Sequence, residues 1–220
     1  MNATISADIV SSTMLSEEET IALKKHIAQL FTTLESKFAG FWGRQIKGDY
    51  IECLVPDINS VFRIALILKT FIKSFEIQSG KDKKNFQTYG IRIAIGIGDM
   101  RIVNRTEGIM DGEAIYISGR ALDKMGSVNK GTMTIGLHDN LLQSALNVIV
   151  ILTDALINHA TRRQCEVLFY KLLMESECDI AEKLNINQSA VNQHSSAAKW
   201  YSIEESLKYF ENLNFVSHDD

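Results

Sequence analysis

Apolar residues in the first half of the chain recur with two different spacings, which predict alternating strands and helices. The run "ATISADI" is rich in small and β-branched residues and predicts a strand over about residues 3–9. Apolar residues then recur with helical spacing from Ile21 to Phe38. Because Ser16 and Glu19 form a capping box just before this run, we expect a helix over about residues 17–38.

Further strand-like runs surround the pair Gly48-Asp49 and, later, the glycines of "GIRIAIGIGDM". The first two runs, "GFWGRQI" and "YIECLV", predict a hairpin, which the single proline ends. In "GIRIAIGIGDM" apolar residues alternate with small ones, and we expect Gly96 and Gly98 to let a helix approach the strand closely. A helix from "DGEAIYISGRALDKM" and a strand from "TMTIGL" follow. This order predicts an α+β sandwich with its helices on one face of a mainly antiparallel sheet.

From about residue 140 the strand signal disappears and helical patterns continue to the end of the chain. A helix is expected over about residues 139–159, and Thr161 with Gln164 forms a capping box for the next. Three short helices follow. We therefore predict an α+β domain over residues 1–140 and an all-α domain over residues 141–220.

Composition narrows the classes of protein to consider. The net charge is −4, and because the last 60 residues hold 10 acidic and 6 basic side chains, the whole acidic excess lies there. This distribution opposes strong non-specific attraction to nucleic acid in that region. Three scattered cysteines do not suggest a disulfide framework or a zinc cluster. No secretory signal pattern is evident, and the run "LNVIVILTDALI" is too short and too polar to span a bilayer. We expect a cytoplasmic protein without a membrane partner.

Two aspartates occupy comparable positions in the predicted sheet. Asp8 ends the first strand and Asp49 lies at the hairpin tip, so both are expected at one edge. Two close carboxylates repel each other unless a divalent cation lies between them, and Mg²⁺ or Mn²⁺ there suits phosphoryl chemistry on a nucleotide triphosphate. The alternative is that Asp8 caps a turn and Asp49 is an ordinary hairpin residue.

Four motifs carry a resemblance that covers nearly the whole chain. The runs "ADIVSST", "IKGDYIECL", "GIRIAIGIG" and "DGEAIYISGRAL" occur in the order of four motifs of the class III nucleotide cyclase fold. The set is more similar still to the SatD-like proteins of bacteria, which combine a compact cyclase-type domain with a helix-turn-helix. The resemblance implies a ferredoxin-like, nucleotide-cyclase-like sandwich followed by an all-α helix-turn-helix domain.

The same resemblance implies roles for individual residues. Asp8 and Asp49 match the metal-binding aspartates, and Arg120 matches the arginine that steadies the transition-state phosphate. The phosphate-binding turn corresponds to Ile9, Ser11, Ser12 and Thr13. The cofactor implied is Mg²⁺ or Mn²⁺ with a nucleotide triphosphate.

The chain also departs from the cyclase pattern. Tyr116 replaces an asparagine, Gln45 replaces the base-selecting lysine, Ile109 stands where a base-reading aspartate is usual, and the phosphate turn lacks its glycine. The groups that select the base and hold the ribose are therefore missing. These departures favour nucleotide sensing or a ligand-free scaffold over cyclisation.

The run "CDIAEKLNINQSAVNQHSSAAKW" has the layout of a helix-turn-helix. Ile180, Ala181 and Val191 are expected in its core, and Asn185 can adopt the left-handed conformation that the turn requires. Amide side chains on the second helix can contact adenine in the major groove. The predicted DNA-binding residues are Gln188, Ser189, Asn192 and Gln193 for bases and Arg162, Arg163 and Lys199 for phosphates. The alternative is an acidic helical bundle that serves dimerisation or protein contact.

The sequence therefore predicts a homodimeric, DNA-binding transcriptional regulator. Its first domain would act as a nucleotide sensor or as a dimerisation scaffold. The first alternative is an enzyme, a divergent metal-dependent nucleotidyl cyclase or phosphotransferase that uses Asp8, Asp49 and Arg120. A protein-interaction adaptor with neither activity is the second alternative.

Overall fold

A five-stranded sheet and the helices around it form the α+β fold that the sequence predicts. The computed structural model describes residues 1–46, 48–78, 83–126 and 130–215. The strands of this part of the chain are β1 (Asn2–Ile9), β2 (Trp42–Ile46), β3 (Tyr50–Val55), β4 (Ile91–Gly98), β5 (Met100–Asn104), β6 (Ile109–Gly112) and β7 (Met133–Gly136). Its α-helices are α1 (Glu17–Lys37), α2 (Val61–Ser74), α3 (Lys83–Tyr89), α4 (Glu113–Lys124), α5 (Asn140–His159), α6 (Arg162–Leu172), α7 (Glu177–Leu184), α8 (Gln188–Ala197) and α9 (Trp200–Glu211).

The strand order in the large sheet is β2-β3-β1-β4-β7. The pairs β2–β3, β3–β1 and β1–β4 are antiparallel, and β7 joins β4 in parallel. Strands β5 and β6 form a separate two-stranded sheet, so "MRIVN" pairs within its own hairpin rather than extending β4. Strand β1 therefore lies inside the large sheet, with β3 and β4 on its two sides.

Helices cover both faces of the sheet, whereas the sequence analysis expected them on one face. Ala3, Ile5 and Ala7 of β1 are buried in the main apolar core. Thr4 and Ser6 point to the opposite face, where their hydroxyl oxygens lie 3.0 and 2.8 Å from the hydroxyl of Ser118 on α4. Helix α4 lies on this second face because the β4 side chains there are small.

The expected role of Gly96 and Gly98 is confirmed by the packing of α4. A Cβ on Gly96 would lie 2.2 Å from the carbonyl oxygen of Ala114, and one on Gly98 would lie 2.6 Å from the carboxylate of Glu113. Contacts this short are far inside van der Waals distance. Gly96 therefore sets how closely the backbone of α4 approaches the sheet, whereas Gly98 leaves room for the Glu113 side chain.

Side chains of α5 hydrogen-bond to the outer edge of β7. The Asn147 side chain accepts from the Ile135 N–H at 3.0 Å and donates to the Ile135 carbonyl at 2.8 Å. Gln143, one turn earlier, accepts from the Leu137 N–H at 2.9 Å. Because an unpaired strand edge is a site for aggregation, these amides protect the sheet in place of a further strand.

A buried charged network joins α2 to α5 and to the start of β7. The Lys69 ammonium lies 2.8 Å from the Asp154 carboxylate, and both side chains are essentially inaccessible to solvent. Asp154 also accepts hydrogen bonds from the Thr132 N–H and hydroxyl, each at 2.7 Å. One turn after Lys69, the Lys73 ammonium donates to the carbonyls of Thr88, Ile157 and Asn158. The network therefore fixes α5 against the sheet domain.

Burial lowers the pKa of Lys73 from an ordinary value of 10.5 to about 8. Between these values the folded protein binds fewer protons at this position than the unfolded chain, so stability from this group rises with pH. Below about pH 8 the cost of burying the charge is fully present. We expect the stability difference between wild type and Lys73→Met to shift in favour of wild type by about 2 kcal/mol between pH 8 and 10.5, measured by urea unfolding.

Wild type is compared with Lys73→Met because the Cys165 thiol titrates in an overlapping pH range and also changes the stability. Burial raises the pKa of its thiol to about 11, which makes stability fall with rising pH. A difference between the two proteins that stays constant from pH 8 to 10.5 would contradict the lowered pKa of Lys73.

Helix α5 is long and apolar enough to cross a membrane, by length and composition only. The apolar run judged too short in the sequence belongs to a helix of 20 residues, since Asp139 caps it further upstream. Of its most apolar 18-residue window, 28% is buried inside the protein. Core helices of soluble proteins pass the same test, so this finding is weak evidence for a membrane span.

The apolar core continues past the predicted domain boundary at residue 140. Phe62 on α2 and Phe210 on α9 pack with ring centroids 5.3 Å apart, and the Arg63 guanidinium lies 2.6 Å from the Glu211 carboxylate. A separate small cluster joins α6, α7 and α8 through Val167, Ile180, Ala181 and Val191. Helix α6 contributes to both clusters and so connects the last helices rigidly to the sheet domain.

Candidate functional site

The two predicted metal-binding aspartates lie at the same end of the sheet. Asp8 is paired in register with Tyr50 on β3 and with Arg92 on β4. Asp49 directly precedes Tyr50, and its carbonyl accepts a hydrogen bond from the Ile9 N–H at 3.1 Å. Burial raises the pKa of the Tyr50 phenol, which therefore stays protonated beside Asp8 at neutral pH.

Each of these carboxylates already has a partner within the protein. The Arg92 guanidinium forms an ion pair with the Asp8 carboxylate, and Nε of Arg92 donates to it at 3.1 Å. Nη1 of Arg92 donates to the Met125 carbonyl. The Ser12 hydroxyl donates to the Asp49 carboxylate at 2.8 Å. Sequence reasoning missed Arg92, although it is the one charged residue on the small-residue face of the alternating strand.

The side chains as they stand do not fit a divalent cation. Arg92 places a positive charge directly on Asp8, where the cation would bind, and the two charges repel. Within the described residues, no group of three His, Cys, Asp or Glu side chains could hold a metal ion. In this arrangement Arg92 balances the charge of Asp8.

We expect Arg92→Gln to tighten Mn²⁺ binding by at least about tenfold, because it removes the competing charge from Asp8. The dissociation constant can be measured by isothermal titration calorimetry. Arg44→Gln is the matched control, since it breaks a comparable strand-to-strand ion pair with Glu52. Equal Mn²⁺ affinity in wild type and Arg92→Gln would show that Arg92 does not exclude the metal.

The predicted phosphate turn borders a cleft of about 200 Å³. Ile9, Ser12, Thr13 and Asp49 line this cleft, whereas Asp8 and Ser11 are absent from its lining. Ser11 instead has φ 56°, in the left-handed region, just before the 3₁₀ turn Ser12–Met14. A left-handed residue followed by a right-handed turn makes a concave group of N–H donors, which suits an anion.

Helix α1 adds side chains to the cleft that the sequence analysis did not select. Thr20, Leu23 and Lys24 of α1 line the cleft, together with Leu15 just after the turn. Gln45, which replaces the base-selecting lysine of the cyclase pattern, also lines it. The lining thus combines hydroxyl groups, an apolar wall, the Lys24 ammonium and the Asp49 carboxylate, so an anionic ligand would meet one positive and one negative charge.

Arg120 lies in a different cleft, of about 520 Å³. Its guanidinium carbon is 5.9 Å from the centroid of the Tyr116 ring. The Tyr116 hydroxyl and the Arg101 guanidinium bind Asp111 and hold the pKa of its carboxyl below the usual range. The structure therefore does not bring Arg120 together with Ser12, Thr13 and Asp49 in one cleft.

Helices α7 and α8 are joined by a tight turn of the predicted form. Asn185 adopts the left-handed conformation, with φ 51° and ψ 50°, as the sequence predicted. Asn187 caps α8 by accepting a hydrogen bond from the Ala190 N–H at 2.7 Å. Ile180 and Val191 are fully buried between the two helices. The turn and the apolar contacts therefore fix the position of α8.

All the predicted base-contacting residues are exposed on α8, namely Gln188, Ser189, Asn192 and Gln193. Lys199 is exposed in the turn that follows. Arg162 and Arg163 are less available, since both form ion pairs with Glu166. The outward face of α8 is thus polar and uncharged, and the arginines near it are largely neutralised.

Comparison of the chain with protein-family models, with curated proteins and with solved structures gives no match.

Proposed function

We propose that the protein is a DNA-binding transcriptional regulator of the bacterial cytoplasm, with α8 as its recognition helix. The observation that carries this proposal is the unit of α6, α7 and α8, which has its own apolar cluster and a left-handed residue at the turn. This unit presents the amides of Asn192 and Gln193 to solvent. Amide side chains in that position can donate to and accept from adenine in the major groove.

The charge distribution around α8 is compatible with this role. Between Lys183 and Glu204 the chain holds Lys199 and His194 but no acidic residue. The acidic residues of the last 60 positions therefore lie outside the segment that forms α8, although α7 beside it carries Glu177, Asp179 and Glu182. Because few cations are available for phosphates, we expect a shallow salt dependence, with a slope of about −2 to −3 per subunit in a log–log plot.

The strand order supports a ferredoxin-like, nucleotide-cyclase-like assignment for the first domain, as the SatD-like resemblance implies. The order of elements is β-α-β-β-α-β from β1 to β4, apart from the short α3, and β1 lies between β3 and β4. In this proposal the domain is a nucleotide sensor, which uses the cleft beside Ser12 and Thr13, or a dimerisation scaffold. Helix α6 packs against both the first domain and the recognition helix, so it would couple a change in the first domain to the position of α8.

Replacing Asn192 and Gln193 by alanine tests the DNA-binding proposal. We expect the double variant to lose about tenfold or more in affinity for a duplex selected by the wild type, because it loses base contacts. Binding to a scrambled duplex should change little, since phosphate contacts remain. Fluorescence anisotropy measures both affinities.

Gln29→Ala is the control, because Gln29 is an exposed amide on α1, far from α8 in the sequence. It should bind the selected duplex as the wild type does. If the double variant bound both duplexes as tightly as the wild type, α8 would not be the recognition helix.

A second candidate function is a divergent metal-dependent nucleotidyl cyclase or phosphotransferase. The position of Asp8 and Asp49 at one end of the sheet supports it, whereas the Arg92 ion pair and the separate cleft of Arg120 count against it. A thermal-shift titration with nucleotide triphosphates, with and without Mn²⁺, separates the roles of the first domain. A Mn²⁺-dependent rise that Asp8→Asn abolishes would indicate a sensor or an enzyme, which an assay of pyrophosphate release then separates, and no rise would favour the scaffold.

A further inference from the structure

Helix α5 carries apolar side chains on two sides: Leu146, Val150 and Ile157 are buried in the main core, and a second apolar set faces solvent. Its polar side chains Gln143, Asn147 and Asp154 point inward and hydrogen-bond to the sheet. Large aliphatic side chains on the other side are exposed to solvent: Leu141 is 82% exposed, Val148 58%, Ile151 47% and Leu152 63%. A surface helix normally carries polar side chains on its outer face, so this exposed apolar face indicates a contact surface.

The exposed side chains form a regular stripe. Leu141, Ala145, Val148, Leu152 and Ala155 are all exposed and follow one another at alternating steps of four and three residues. This is the spacing of a helix that packs along another helix. The stripe extends to His159, a length of about 27 Å. Asp154 is the only Asp, Glu, Lys or Arg in α5, and it is buried, so the stripe carries no charge of these types.

We propose that this stripe is the contact surface of a homodimer, in which α5 packs antiparallel against α5 of a second copy. An antiparallel pair opposes the two helix dipoles, whereas a parallel pair would bring like ends of the dipoles together. In the antiparallel pair, Asp139 at the start of one helix would lie near the end of the other, where Glu166 pairs with Arg162 and Arg163.

The stripe is also complementary to itself in shape. With the two-fold axis at the level of residue 150 along the helix, on its outer face, Val148 faces the partner's Leu152 and Ala145 faces the partner's Ala155. The alanines allow the two backbones to approach closely, and the larger side chains fill the space between them. A single pair of helices of this length lies at the small end of stable interfaces, so we expect association in the micromolar range.

A membrane surface fits the stripe less well than a second copy. Amphipathic membrane-binding helices carry lysines and arginines on their polar face. Helix α5 contains neither, and its polar face is bonded to β7 and Lys69.

The first test is sedimentation velocity of the full chain between about 1 and 100 µM. Wild type should show a concentration-dependent rise from monomer to dimer. Leu152→Glu should weaken the association at least about tenfold, because it places a charge in the centre of the stripe. At concentrations where both proteins are monomeric, its melting temperature by circular dichroism should match that of wild type, since Leu152 is exposed in the monomer. Met174→Glu is the matched control, because Met174 is 66% exposed outside α5, and it should dimerise as wild type does.

The second test determines the orientation of the two helices. In a Cys178→Ser background the native thiols that remain, Cys53 and Cys165, are buried. A short bis-maleimide should link Ala145→Cys to Ala155→Cys when the two variants are mixed, and should link each variant to itself only slowly. Efficient linkage of each variant to itself would overturn the antiparallel arrangement.

Two outcomes would overturn the dimer surface itself. One is a wild type that stays monomeric at about 100 µM. If that monomeric wild type also floated with anionic vesicles and Leu152→Glu did not, the stripe would bind membranes instead. The other is a Leu152→Glu variant that still dimerises as the wild type does. This inference rests on the scaffold role proposed above. Because sedimentation velocity is measured without DNA, the dimer proposal and the DNA-binding proposal can fail separately.

Discussion

Replacing Asp154 by alanine is expected to lower the free energy of unfolding by about 3–5 kcal/mol, because it leaves the Lys69 ammonium buried without its counter-charge. The two groups are 2.8 Å apart and have no contact with solvent. The variant also removes the acceptor of the Thr132 N–H at the start of β7. Urea unfolding followed by circular dichroism measures the loss.

Two further variants show whether charge is the cause. Asp123→Ala removes an exposed acid on α4 and should change stability by less than about 0.5 kcal/mol. Lys69→Met combined with Asp154→Leu removes both charges and should recover part of the loss, since an apolar pair of similar volume often replaces a buried ion pair. A double variant less stable than Asp154→Ala would indicate that packing or the Thr132 contact, rather than an unpaired charge, causes the loss.

Replacing Gly96 by alanine is expected to cost about 3 kcal/mol or more, because the new Cβ has no space. It would lie 2.2 Å from the Ala114 carbonyl oxygen and 2.6 Å from the Ser118 nitrogen, both in the backbone of α4. The helix would have to move away from the sheet and lose the hydroxyl contacts of Ser118 with Thr4 and Ser6. Thermal and urea unfolding measure the effect.

Gly119→Ala, on α4 itself, is expected to have the opposite effect on stability. A Cβ at Gly119 meets no atom within 4 Å, so alanine should raise stability by about 0.5–1 kcal/mol through its higher helix propensity. If Gly96→Ala were as stable as wild type, α4 would not be held at the distance that the structure shows.

Much of the fold follows from signals that are local in the sequence. Capping boxes at Ser16 and Thr161 mark the starts of α1 and α6, and both are present in the structure. The alternation of apolar and small residues in β4 predicted close approach by a helix. The left-handed conformation of Asn185 followed from its side chain and its place in the turn. Each of these features depends on residues close to one another in the chain.

The features that the sequence did not reveal depend on contacts between distant segments. The position of α4 on the opposite face required knowing which face of β1 carries Thr4 and Ser6. The ion pair of Arg92 with Asp8 forms between residues 84 positions apart. The role of Asn147 and Gln143 at the edge of β7 likewise depends on how α5 lies beside the sheet. Residue spacing within one segment contains none of this information.

The most direct test of the proposed function is the ratio of two DNA affinities of the intact protein. A duplex is selected from a random pool with the purified wild type, and its dissociation constant is compared with that of a scrambled duplex at about 150 mM salt. A sequence-specific regulator that reads bases with α8 is expected to bind the selected duplex at least about a thousandfold more tightly. Failure to enrich any sequence, or equal affinity for both duplexes, would contradict a sequence-specific regulator and favour the protein-interaction adaptor.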